Sequence, residues 1–72
     1  MSRRKEAPKE DHETAARRLA VAANTREAEM FLGRDRADLA LVLFEHNVTL
    51  SERIGDAEGA CAARRRCEEL RS

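Results

Sequence analysis

The chain has no tryptophan and no tyrosine, and its aromatic content is two phenylalanines, Phe31 and Phe44. That is too little to build the stacking platform on which single-stranded nucleic acid is held. Proline occurs once, at Pro8, and β-branched residues are scattered, so nothing supports a strand. The three glycines, Gly33, Gly55 and Gly59, stand singly. They make no phosphate-cradling loop and read as helix punctuation. Two cysteines cannot staple a secreted mini-protein, which points to a reducing, intracellular compartment, cytoplasmic or nuclear. No apolar run approaches the ~18 residues of a membrane span. Arg3, Arg4 and Lys5 have no apolar stretch behind them, which excludes a signal peptide. Net charge is missing too: fourteen basic and fourteen acidic residues cancel. The electrostatic footprint of a nucleic-acid binder is therefore absent.

What is present is a short, alanine-rich, heavily charged chain. Seventy-two residues allow at most one small domain. Thirteen are alanine, and Leu, Ile, Val and Phe together supply another thirteen. Charge balance removes the self-repulsion that would hold so lean a chain open. Residues 1–10 are polar and charged and read as a flexible tail. Three helices are expected in the domain over residues 11–72. The first covers about 11–32, opened by Pro8 or by Asp11 as a cap and ended by a left-handed Gly33. The second covers about 36–54, capped by Asp35 and closed by Gly55. The third covers about 57–71, capped by Asp56. The class is all-α.

Periodicity assigns the faces. In the first helix Ala16, Leu19, Ala20, Ala23, Met30 and Phe31 recur at helical spacing and read as its packing side. In the second, Leu39, Leu43, Leu50 and Ile54 form one stripe, with Ala37, Ala40, Leu41, Phe44 and Val48 beside it. Together they exceed the ~100° stripe of an ordinary surface helix, so helix two needs a neighbour on each side. The third offers the narrow stripe Ala60, Ala63, Cys67 and Leu70. The expected packing is an antiparallel array, with helices one and three leaning on helix two. Domains this small usually need a metal, disulfides, oligomerisation or very regular packing. The first two have no support here.

The run from Leu39 through Phe44 to Ile54-Gly55-Asp56-Ala57-Glu58-Gly59-Ala60 resembles a tetratricopeptide repeat. More narrowly it resembles the long-helix variety of Pins-type and Tonsoku-type scaffolds, in which Ile-Gly-Asp ends a long second helix. Ala28 and Phe31, then Ala40 and Phe44, match the family's pairs of a small residue and an aromatic. Asn47 stands where the family has alanine and Glu27 where it has leucine. Glu68 and Arg71 replace the small residue and aromatic of the next repeat. The resemblance covers roughly residues 20–70, one repeat plus one helix. Such arrays usually need three or more units, so it implies a fragment, an end cap or a self-associating chain. Met1 reads as a true start, and the truncated second repeat argues against a natural finish. The resemblance further implies a concave surface formed by first helices, here presenting Asn24, Glu27 and Phe31, with Arg64 and Arg65 from helix three.

Chemistry-bearing residues give little else. Cys61 and Cys67, six apart on one helix, cannot bridge and lack zinc or redox spacing. Cys67 falls in the apolar stripe as a core residue, and Cys61 flanks it. His12 and His46 have no acidic partners at ligand spacing, and no serine has a nucleophile's surroundings. Neither enzyme, metal nor cofactor is implied. Asn47 reads as a satisfied buried or half-exposed amide, with a polar contact to a partner's backbone as the sharper alternative. Arg64, Arg65 and Arg66 read as a solvated face, or as a dock for an acidic peptide. The expected function is a non-enzymatic module binding a peptide or helix of another protein between helices one and three. A homo-oligomeric bundle burying helix two between copies is the alternative. A helix-turn-helix DNA binder reading with helix three ranks below both.

Overall fold

The computed structural model describes residues 11–72. The tail expected over residues 1–10, and Pro8 as a helix opener, lie outside the described residues. Three helices follow in order: α1 over His12–Gly33, α2 over Ala37–Arg53 and α3 over Ala57–Arg71. No strand occurs among the described residues, and the all-α, three-helix arrangement expected from the sequence is the one observed. α1 and α3 each pack along α2, and their backbones do not approach one another. Arg64 pairs with Glu52 and Arg71 with Glu45, so α3 runs antiparallel to α2.

Helix ends follow local chemistry. Asp11 is extended and its carboxylate accepts from the Thr14 N–H at 2.7 Å, which caps α1. Asp56 does the same for α3, accepting from the Gly59 N–H at 2.9 Å. α1 and α2 both stop in a Schellman motif. After α2, Gly55 takes a left-handed φ of 74°, and the Asp56 and Gly55 N–H groups return to the carbonyls of Ser51 and Glu52. After α1 the same pair of bonds runs from Arg36 to Phe31 and from Asp35 to Leu32.

This first turn differs from expectation. Gly33 is the last residue of α1 and is not left-handed; Asp35 takes that role, with φ 62°. Asp35 therefore does not cap α2. The cap is Arg36, which makes no side-chain capping bond and instead forks onto Asp38 at 3.2 and 3.1 Å. The helix runs through the glycine, and a Schellman turn needs its left-handed residue at the second position beyond the last helical one. That position holds aspartate, which tolerates the conformation better than most residues.

The core is built at the join of the three helices. Ala28 of α1, Ala40 and Phe44 of α2 and Cys67 of α3 form its buried cluster, with Phe31, Leu32, Leu41, Leu43, Val48 and Leu70 packed around it. Alanines at Ala28 and Ala40, both 0% exposed, let α1 and α2 close up. Ala60, Ala63 and Cys67 are the buried side of α3, as the narrow stripe predicted.

The packing side of α1 is only in part the one its apolar periodicity indicates. Leu19 is 72% and Met30 55% exposed, and Ala16 and Ala23 are exposed with them. Of that stripe Phe31 does turn inward and Ala20 is half-buried, and the rest of the inward face is Val21, Asn24, Thr25 and Ala28. The cause is a polar match. Asn47 of α2, 2% exposed, donates to the Thr25 hydroxyl at 3.1 Å and the Val21 carbonyl at 3.4 Å, and accepts from the Asn24 amide at 3.1 Å. Thr25 in turn donates to the Val21 carbonyl at 2.8 Å. A buried amide with partners on one face of α1 fixes which face docks.

Candidate functional site

Because α1 and α3 lean on α2 without touching each other's backbone, a groove of about 380 Å³ runs between them. α1 lines it with Val21, Thr25 and Glu29, at successive four-residue steps that hold one face of a helix. α3 lines it with Gly59, Ala62, Ala63 and Arg66, and Phe44 and Asn47 of α2 form the floor. The α3 wall owes its low profile to glycine and alanine. A Cβ on Gly59 would run into the Asp56 cap carboxylate and come within 3.1 Å of the Ser51 hydroxyl.

One side chain spans the groove. The Arg66 guanidinium lies 5.1 Å from the centre of the Phe44 ring, a cation–π distance. It bonds Glu29 of α1 at 2.9 Å and reaches Glu69 of α3 at 3.4 Å. Arg18 and Asp56, 3.9 Å apart, join α1 to the start of α3. Glu29, Arg18 and Glu69 are exposed and Arg66 is intermediate, so these pairs are weakly held. Exposed pairs are worth about 0–1 kcal/mol each.

The residues expected to meet a partner are placed apart. Asn24 is half-buried and spent on Asn47; Phe31 is half-buried and packs around the core. Glu27 is exposed on α1, outside the groove lining. Arg64 pairs with Glu52 of α2, and Arg65 is exposed, its guanidinium 4.0 Å from the Cys61 sulfur. None of the five lines the groove. Arg66 is the member of the arginine run that does, and Glu29 and Ala62 enter it unforeseen. Their signal was available: 21, 25, 29 and 59, 62, 66 are ladders of three- and four-residue steps.

The chemistry of the remaining groups is quiet. Cys61 is exposed and Cys67 buried, and burial pushes the Cys67 thiol above its ordinary value. Among the described residues no group of three His, Cys, Asp or Glu side chains could hold a metal ion. No described helix is long and apolar enough to cross a membrane. Asn47 is the satisfied amide of the plainer reading, with donors and acceptor all engaged inside the chain. The class defined so far is a three-helix, all-α array with an open groove. Comparison with protein-family models, with curated proteins and with solved structures gave no significant match.

Proposed function

We propose that this chain is a non-enzymatic interaction module that takes a helix or short peptide of another protein in the groove between α1 and α3. The observation that carries this reading is the groove itself. Two helices share a third without closing on each other, and leave small side chains, Gly59, Ala62 and Ala63, along one wall. Small walls admit the backbone of a docking segment closely, and an apolar anchor of that segment would lie against Val21 and Ala62, as in other helix-in-groove recognition. Arg66 and Glu29, paired across the groove at 2.9 Å, would exchange their exposed mutual bond for contacts to a segment carrying both signs of charge.

The tetratricopeptide-like reading belongs to the same proposal. The small residues it singles out, Ala28 and Ala40, are fully buried, Phe44 is 3% exposed, and Gly55 and Asp56 make the turn it calls for. The arc of α2 that the self-associating alternative would bury between copies is covered by α1 and α3 of the same chain. For the DNA-reading alternative, Arg64 and Arg66 are engaged with Glu52, Glu29 and Glu69.

Selection of displayed random peptides on the purified chain tests the proposal. Enriched peptides should lose binding to Ala62→Trp, which fills the groove, and keep binding to Arg65→Ala. Failure to enrich any peptide, or enrichment of peptides indifferent to Ala62→Trp, would refute it.

A further inference from the structure

We propose that the outer face of α1 is a self-association surface, on which a second copy of this chain docks with its own α1 antiparallel. Leu19 and Met30, 72% and 55% exposed, are two of the three large apolar side chains left in solvent among the described residues. They are eleven residues apart, three helical turns, so they share one face about 16 Å apart along the axis. Ala16 and Ala23, both exposed, complete the stripe. It lies opposite Val21 and Ala28, the side that meets α2, and leaves the α1–α3 groove uncovered.

Spacing and charge select the occupant and its direction. Set antiparallel, Leu19 of each copy meets Met30 of the other, so this large apolar contact forms twice about one dyad. Arg26, on the same stripe, then lies over Ala23 of the second copy, one turn from that copy's Glu27. Along the flanking edge, Glu13 faces Arg34 of the second copy and Ala20 faces Glu27. No like charges stand directly opposite, and the two Arg26 side chains, one turn apart along the seam, each have the other copy's Glu27 one turn away. A parallel arrangement would instead stack Arg26 directly on Arg26, which costs stability. Glu13 already reaches Arg17 at 3.7 Å, a long and exposed pair that Arg34 of a second copy can supplement. The need for such a contact is written in the core, whose buried apolar residues are four alanines, one cysteine and Phe44. A chain this lean gains security from oligomerisation.

Sedimentation of the intact chain across concentrations reads the proposal directly. A monomer–dimer equilibrium is expected, with Leu19→Glu or Met30→Glu weakening it by about tenfold or more. Because both residues are exposed, helical circular dichroism should be unchanged. The direction is read on a Cys61→Ser background. Under mild oxidation, Leu19→Cys chains mixed with Met30→Cys chains should cross-link to each other more than either links to itself. A monomer persisting to about 1 mM, a dimer insensitive to both glutamate substitutions, or dominant self-linking of Leu19→Cys chains would each overturn it.

Discussion

Two buried polar side chains on α2 show how differently the same burial can act. Asn47 is 2% exposed and fully engaged with α1, whereas Ser51 is 0% exposed and its hydroxyl meets no hydrogen-bond partner. An unpaired buried hydroxyl costs about 1–3 kcal/mol relative to solvent. Ser51→Ala should therefore raise the midpoint of thermal unfolding, by the equivalent of about 1 kcal/mol. Asn47→Ala should lower stability by about 2–3 kcal/mol, since it strands the Asn24 and Thr25 groups it served. Thermal melts of both variants decide the matter, and a Ser51→Ala protein less stable than the parent would show that its hydroxyl has a partner. These residues also mark the limit of what sequence reveals. The stripe Ala60, Ala63, Cys67 and Leu70 could be read directly because α3 packs through apolar side chains alone. α1 was legible only at Ala28 and Phe31, because the rest of its inward face is chosen by Asn24 and Thr25, whose value depends on an amide twenty-odd positions away. Ala16, Leu19, Ala23 and Met30 kept a convincing period on the wrong side.

At the scale of the element, the two turns compare the same motif with and without glycine. Gly55 holds φ 74° without steric cost, while Asp35 holds φ 62° with a Cβ in place. The sequence signalled the second turn through Gly55-Asp56 and misplaced the first, because Gly33 drew the eye from the residue that actually turns. Replacing Asp35 with glycine should stabilise the α1–α2 junction by about 0.5–1 kcal/mol, and Gly55→Ala should destabilise the α2–α3 junction by about 1 kcal/mol. Chemical denaturation midpoints of the two variants, moving in opposite directions, are the expected outcome. Helix starts add a pH dependence. Hydrogen bonds from Thr14, the backbone N–H first, hold the Asp11 carboxyl below its ordinary 3.8, and the Arg36 side chain does the same for Asp38. Groups depressed on folding contribute fully above the unfolded value and lose that contribution as pH falls through the folded one. Unfolding midpoints should thus decline below about pH 4, and less steeply in Asp11→Ala. A midpoint level across that acid range would contradict the capping role.

For the whole molecule the question is whether α3, docked through small side chains and exposed ion pairs, can leave α2 by itself. Two features oppose that. Phe44 belongs to the same buried cluster as Ala28 of α1 and Cys67 of α3, so separating α3 uncovers the one large side chain that α1 also rests on. Arg66, above the Phe44 ring, ties α3 to Glu29 of α1 as well. Loss of α3 therefore removes support from the α1–α2 pair, and the three helices should melt together. The two cysteines report this without any label being introduced. Cys61 is exposed and should react with a thiol reagent at once. Cys67 is buried, with its thiol pushed above the ordinary 9.0 by that burial, and should react only as the chain unfolds. Along a denaturant series, Cys67 reactivity and loss of helical circular dichroism should trace one transition, the coincidence expected of a two-state domain. Phe44→Ala, at a cost of about 3–5 kcal/mol, should move both traces together and leave little folded protein at room temperature. Cys67 becoming reactive while the helical signal stands intact would mean that α3 detaches separately, and that Phe44 does not bind the array into one cooperative unit.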